Sequence, residues 1–168
     1  MVVVAGTTWY NPVVTAAGWR VFHPSGKILY QNLEIVVPWP WIADIEQVNS
    51  ESYAAPQGVQ LKRHSGTLGR PGPVETIFID TISPDPHTTS VAQIQKWISS
   101  FEGSHPGADF SGSQQVSHAE CIVAHPSISP PERVATCISV ADGWVANFEG
   151  TQSQLRTFMQ VVNSLKHR

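Results

Sequence analysis

Residues 119–150 read AECIVAHPSISPPERVATCISVADGWVANFEG, and their spacing decides the fold. Three β-rich runs, about Gln115–His125, Glu132–Val140 and Trp144–Phe148, follow one another with only short connections. The Pro126–Pro131 loop is centred near Ser129, and Cys121 and Cys137 lie equally far on either side of it. An antiparallel pairing about that centre puts the two cysteines directly opposite each other, within disulfide reach. Asp142-Gly143 is a two-residue hairpin signal. It predicts pairing of Val140 with Val145, Ser139 with Ala146 and Cys137 with Phe148. The cysteines then share a face with Trp144, Ala146 and Phe148, while Val134, Thr136, Ile138 and Val140 lie on the other. The aromatic face is the one expected under a helix layer. A slip of one residue would reverse every side chain.

Two helices accompany this meander. Val91, Ile94, Ile98 and Phe101 recur on one face of a 3.6-residue period, with Ser90 and Gln93 as a capping box and Gly103 as the stop. After the meander, Thr151 and Gln154 form a second box ahead of the stripe Leu155, Phe158, Met159, Val162 and Leu165. Gln152, Arg156, Gln160 and Asn163 make the polar side of that helix, so its stripe reads as core packing.

The first half of the chain reads as strands. Val2–Tyr10 is β-rich, and Trp19–Phe22 and Lys27–Gln31 flank a Pro24-Ser25-Gly26 turn. Leu33–Val37 stops at Pro38, which has no N–H for a ladder. Gln57–His64 and Val74–Ile82 follow, separated by the Gly/Pro-rich stretch Ser65–Pro73; Gly103–Gly112 is a second loop. In Pro38-Trp39-Pro40-Trp41 two prolines imply an extended segment whose tryptophans, Trp39 and Trp41, project to one side. Such a pair grips a peptide, sugar or lipid, or else covers a sheet edge; burial is the commoner fate of so large an apolar area.

Residues able to carry chemistry are sparse. His118, Glu120 and Cys121 match the H-x-E half of a zinc-deaminase signature, but the P-C-x-x-C half is absent and Cys137 stands alone. His118, Cys121, His125 and Cys137 have the side-chain types of a zinc site, yet on a strand 121 and 125 face away from 118 and 120. Asp80, Asp85 and His87 are acid/base types set among prolines that read as a turn, and Ser111-Gly112-Ser113 is not a nucleophile elbow. No phosphate loop or dinucleotide fingerprint occurs. No catalytic residue and no cofactor is assigned.

A strand ending in Pro-x-Pro-Trp (Leu33–Trp41), two further strands, an amphipathic helix, three meander strands and a helix ending in Val162-Asn163-Ser164-Leu165-Lys166 give an order of elements that resembles the PsbP-like fold. That family includes photosystem II extrinsic proteins, DcrB lipoproteins and a Ran-binding import factor. The resemblance covers about Gln31–Lys166. It implies an α+β fold with an antiparallel sheet packed against helices, and a non-enzymatic accessory or binding role, often outside the cytoplasm. The expected organisation is one domain over 1–168, with 1–30 an N-terminal β extension and 31–168 the PsbP-like core.

Composition sets the outer bounds. The chain has 168 residues, 41% of them apolar, enough for one ordinary core. It has no apolar run long enough to span a bilayer, and its net charge of −3 with scattered basic residues does not suit a nucleic-acid surface. Charged residues are only 14%, against roughly 25% in average soluble domains. Met1–Trp19 lacks both charge and the basic n-region of a secretory signal. The chain is therefore cytosolic, or exported with its signal already removed; low charge leans to the second. If Cys121 and Cys137 are bonded, the low charge belongs to an exported domain; if both thiols are free, it is a Ser/Thr-rich surface on an intracellular one. Three functions are compatible: a binding or accessory module using Trp39, Trp41 and the two loops; a metal-assisted hydrolase or deaminase around His118, Glu120 and Cys121; and a small-ligand carrier with a cavity between sheet and helices. The partner, a protein or a small ligand, and the oligomeric state are open.

Overall fold

The runs around the cysteines form an antiparallel meander in the computed structural model, which describes residues 12–45, 58–67, 70–82, 87–116, 118–128 and 131–167. In chain order the described elements are α1 (Pro12–Phe22), β1 (Lys27–Tyr30), β2 (Leu33–Val36), β3 (Ile42–Ile45), β4 (Gly58–Thr67), β5 (Arg70–Thr81), α2 (Ser90–Ser104), β6 (Asp109–Val116), β7 (Ala119–His125), β8 (Arg133–Ser139), β9 (Trp144–Gly150), α3 (Gln152–Ser164) and β10 (Lys166–His167). The strands make a seven-stranded sheet, β3-β4-β5-β9-β8-β7-β6, and a three-stranded sheet, β1-β2-β10. Every pairing is antiparallel, so the fold is α+β. No helix among the described residues is long and apolar enough to cross a membrane.

Cys121 faces Cys137 in the β7–β8 ladder, and the two are joined in a disulfide with Cα atoms 4.1 Å apart. Their face of the large sheet carries Val59, Leu61, Ile77, Ile79, Ala135, Ala146 and Phe148, all buried. Against it lie Phe158, Val161 and Val162 of α3 and Leu33 and Ile35 of β2, with Phe148 and Phe158 stacked at 5.4 Å between centroids. The other face is apolar only near β7, β8 and the start of β9, where Ile122, Ile138, Ala124 and Val134 receive Ile94 and Phe101 of α2. The helices therefore flank both faces, not the aromatic face alone as the sequence suggests. The isoleucines and valines opposite the cysteines supply the second apolar surface.

The β8–β9 connection departs from the expected two-residue hairpin. Ser139 pairs with Trp144 and Cys137 with Ala146, so the turn is Val140–Gly143. Ser139 Oγ donates to Asp142 Oδ2 (2.8 Å) and accepts the Asp142 N–H (3.2 Å), closing this wider turn, while Gly143 supplies φ +68°. The register moves by two residues, which leaves each side chain on its expected face.

Further expectations are corrected. Trp19–Phe22 is helical, not a strand. Proline at the first position of α1 is pre-shaped for a helix, and burial of Ala16 and packing of Trp19 outweigh the β-branched Val13, Val14 and Thr15. Within 12–30, α1 docks on the core and Lys27–Tyr30 is the expected strand, β1; Val2–Tyr10 lies outside the described residues. Ser65–Pro73 is not a loop throughout, because β4 and β5 continue as a hairpin to Thr67 and Arg70, with a bulge between His64 and Gly66. Pro71 and Pro73 are tolerated because β9 pairs with β5 only from Thr76 onwards. The run Gln115–His125 is the end of β6, a turn, and β7, with Val116 paired to Ala119. The strand β6 begins inside the expected loop Gly103–Gly112, its Gly112 lying in a bulge. Finally, the tryptophans part company: Pro38–Trp41 is a turn in which the Trp41 N–H donates to Pro38 O (2.8 Å) and the Trp39–Pro40 peptide is cis. Trp41 is 1% exposed and Trp39 53%.

Caps and latches set the helices. Thr151 and Gln154 form the expected capping box on α3, with Gln154 Oε1 accepting the Thr151 N–H at 2.7 Å. For α2 the cap is Thr89, one residue earlier than expected, whose Oγ1 accepts the Ala92 N–H. Ser90 is thereby released to accept the Val140 N–H at 3.0 Å, bolting the helix to the β8–β9 turn. Trp97 packs inward in place of Val91, which is half exposed. On α1, Trp19 Nε1 donates to Ala43 O (3.2 Å) and Arg20 Nη2 to Val37 O (2.6 Å). Gly26, at φ +65°, leaves the space the guanidinium occupies.

Trp41→Ala is expected to lose about 3–5 kcal/mol of stability and Trp39→Ala less than about 0.5 kcal/mol, as read from urea unfolding of each variant. Replacing both cysteines with alanine opens the loop between positions 121 and 137, and the same measurement should show a loss of about 3 kcal/mol.

Candidate functional site at the seam of the two sheets

At one end of the large sheet Thr81, Trp144 and Ser139 lie in one cross-strand row. The ladder closes beyond them with the Ile82 N–H donating to Gly143 O at 2.8 Å. The small sheet meets this end through another row, Tyr30–Leu33–His167. Between them is a half-open cavity of about 300 Å³, walled by Gln31, Leu33, Thr81, Asp142, Trp144 and His167 among others. Its walls come from the β1–β2 turn, the end of β5, the β8–β9 turn and β10.

The polar walls are fixed in place. Gln31 and Asn32 form the two-residue turn between β1 and β2, both left-handed at φ 45° and 71°. A non-glycine residue costs roughly 1 kcal/mol or more in that region, twice over here. This conformation holds the Gln31 amide over β5: its Oε1 accepts from Thr81 Oγ1 (2.6 Å), and its Nε2 donates to Tyr30 Oη (3.2 Å). Burial raises the Tyr30 phenol above its usual range, and the Asp80 charge raises it further. Burial likewise raises the Asp80 carboxyl, only partly offset by the hydrogen bond it accepts from the Thr81 N–H (2.7 Å).

Asp142 is gripped from one side by Ser139, and His118 Nδ1 lies 3.5 Å from the same Oδ2. Serine, aspartate and histidine thus meet, but with the carboxylate in the middle. A nucleophile relay requires histidine between the other two, and a hydroxyl within reach of substrate. Ser139 is fully buried and gives its proton to Asp142.

The expected site residues are dispersed. The sulfurs of Cys121 and Cys137 are bonded to each other, and His118 and His125 stand at opposite ends of β7, roughly 20 Å apart along the strand. Glu120 lies between Gln115 and Ile138. Among the described residues no group of His, Cys, Asp or Glu is placed to hold a metal ion. Of the acid/base candidates, Asp80 borders the seam, His87 precedes α2, and Asp85 is outside the described residues. Burial of Trp41 removes it from any contact surface and leaves Trp39 alone. Sequence reasoning missed Tyr30, Gln31, Thr81, Asp142 and His167 as a group. Two local signals existed: Gln31-Asn32 between two short strands, and the three-residue spacing of Ser139 from Asp142. A second half-open cavity of similar volume, at Thr76, Phe78, Asn147, Phe148 and Glu149, draws only on β5 and β9.

A carboxyl raised by folding binds its proton more tightly in the folded chain than in the unfolded one. The stability it contributes is fully present below the ordinary aspartate range and is lost as pH rises through the raised value. Asp80→Asn is therefore expected to raise the melting temperature at about pH 7 and to leave it nearly unchanged at about pH 3, in thermal melts of both proteins. No protein-family model matches the chain, and neither the search of curated proteins nor that of solved structures returns a match.

Proposed function

We propose that the chain is a non-catalytic binding module that holds a small polar ligand in the seam cavity and works in an oxidising, extracytoplasmic compartment. One observation carries the binding part: polar side chains from four separate stretches of chain converge on one half-open cavity of about 300 Å³. Ligand sites are concave, largely pre-formed and equipped with a few well-placed polar groups. Here the Gln31 amide and the Asp142 carboxylate are held by neighbours before any ligand arrives. The position of Asp142 between Ser139 and His118 favours recognition over nucleophilic chemistry.

The compartment rests on the buried Cys121–Cys137 bond, since such bonds persist where thiols are not kept reduced. The low content of charged residues agrees with it. The order of elements, with helices on both faces of an antiparallel sheet, supports extending the reading to a PsbP-like plan.

The test is a fragment screen on the ¹⁵N-labelled chain, joined to native mass spectrometry of the freshly purified protein. Resonances of Gln31, Thr81 and Gly143 are expected to shift together with at least one polar fragment, while those of Thr76 and Phe78 stay still. Shifts scattered over the surface, with none at the seam, would rule the cavity out as the site.

A further inference from the structure

We infer that the seam cavity selects a small organic cation, an amine or guanidinium compound with a short apolar body, and that Asp142 is the residue that recognises its charge. This deepens the binding reading above and rests on it.

The first argument is the distribution of charge. Among the described residues neither lysine nor arginine lines the cavity. In the small sheet the cations sit on the far face: Lys27 is bonded to Glu34 at 2.9 Å, and Lys166 lies opposite Glu34. The near face is the row Tyr30–Leu33–His167. Arg20 is spent on Val37 O.

The second is the state of the Asp142 carboxylate. Ser139 Oγ donates to its Oδ2 and accepts the backbone N–H of Asp142 itself, and His118 Nδ1 addresses the same Oδ2. Oδ1 accepts no hydrogen bond among the described residues, and 27% of the side chain is exposed. A fixed, half-buried acceptor with a free oxygen is suited to a charge-assisted hydrogen bond. His118, with 75% of its side chain in solvent, is a weak competitor.

The third is the surrounding field. Asp80, one residue before Thr81, does not line the cavity but lies close enough for its charge to raise the Tyr30 phenol; it is desolvated and has no cation paired with it among the described residues. Leu33, Ile82 and Trp144 supply apolar surface for the rest of the ligand. A divalent metal fits less well, because calcium or magnesium requires about six oxygens and, among the described residues, one carboxylate lines the space.

The experiment uses the full ¹⁵N-labelled chain and compounds of one shape and different charge: isobutylamine, isobutanol and isobutyrate, with agmatine as a guanidinium probe and calcium chloride alone. The amine and agmatine are expected to shift Gln31, Thr81 and Gly143 at concentrations about tenfold below those of the alcohol and the acid. Asp142→Asn should remove that preference while leaving the spectrum away from the seam unchanged. Equal or tighter binding of isobutyrate or isobutanol, the same shifts with calcium alone, or an amine preference that survives Asp142→Asn would each overturn the inference but leave a binding cavity standing. If no compound moves the seam, the binding reading falls with it. The charge series on the unmodified chain decides the matter even where the variant fails to fold.

Discussion

The pairing of Cys121 with Cys137 is the constraint on which the rest of the architecture depends. A strand has only two faces, so once these residues oppose each other in the core, every neighbour of β7 and β8 is assigned a side. Ala135, Ala146 and Phe148 then turn towards α3, and Ile122, Val134 and Ile138 turn towards α2. A covalent link at this point bars the one-residue slip that would bring the polar Thr136 and Glu120 into the main core. The small residues around it, Ala119, Ala135 and Ala146, are fully buried and let the aromatic rings of Phe148 and Phe158 fill the space.

What could be read directly from the chain follows the same logic. The meander, its facing cysteines and the stripe of α3 were legible because each is a local pattern whose period or centre can be counted. The misreadings fall where tertiary contact overrides local preference. In α1, Val13, Val14 and Thr15 favour a strand, yet burial of Ala16 and the bond from Trp19 to Ala43 stabilise a helix. The edge strand β6 shows no hydrophobic alternation because most of it is exposed, so nothing in Asp109–Gln115 distinguishes it from a loop. Trp39 and Trp41 each follow a proline and have opposite burial. That difference comes from the turn and from what lies beneath it.

The candidate site was hidden for a related reason. Its residues are separated by up to 136 positions, from Gln31 to His167, and none belongs to a recognisable motif. They meet only because the two sheets abut end to face at the row Thr81–Trp144–Ser139. The strained pair Gln31–Asn32 makes sense in that setting. A more relaxed turn would carry the amide away from Thr81, and the hydrogen bonds of Gln31 help to offset the backbone cost.

The bond from the Val140 N–H to Ser90 Oγ has a wider consequence. Val140 opens the same turn that carries Asp142, so the first turn of α2 and the cavity wall share one mechanical joint. Free energies linked through a joint are reciprocal: whatever steadies Asp142 steadies the start of α2 by the same amount, and a partner pulling on α2 alters the grip on a ligand. The helix on one face of the sheet is thereby a potential reporter for events at its end.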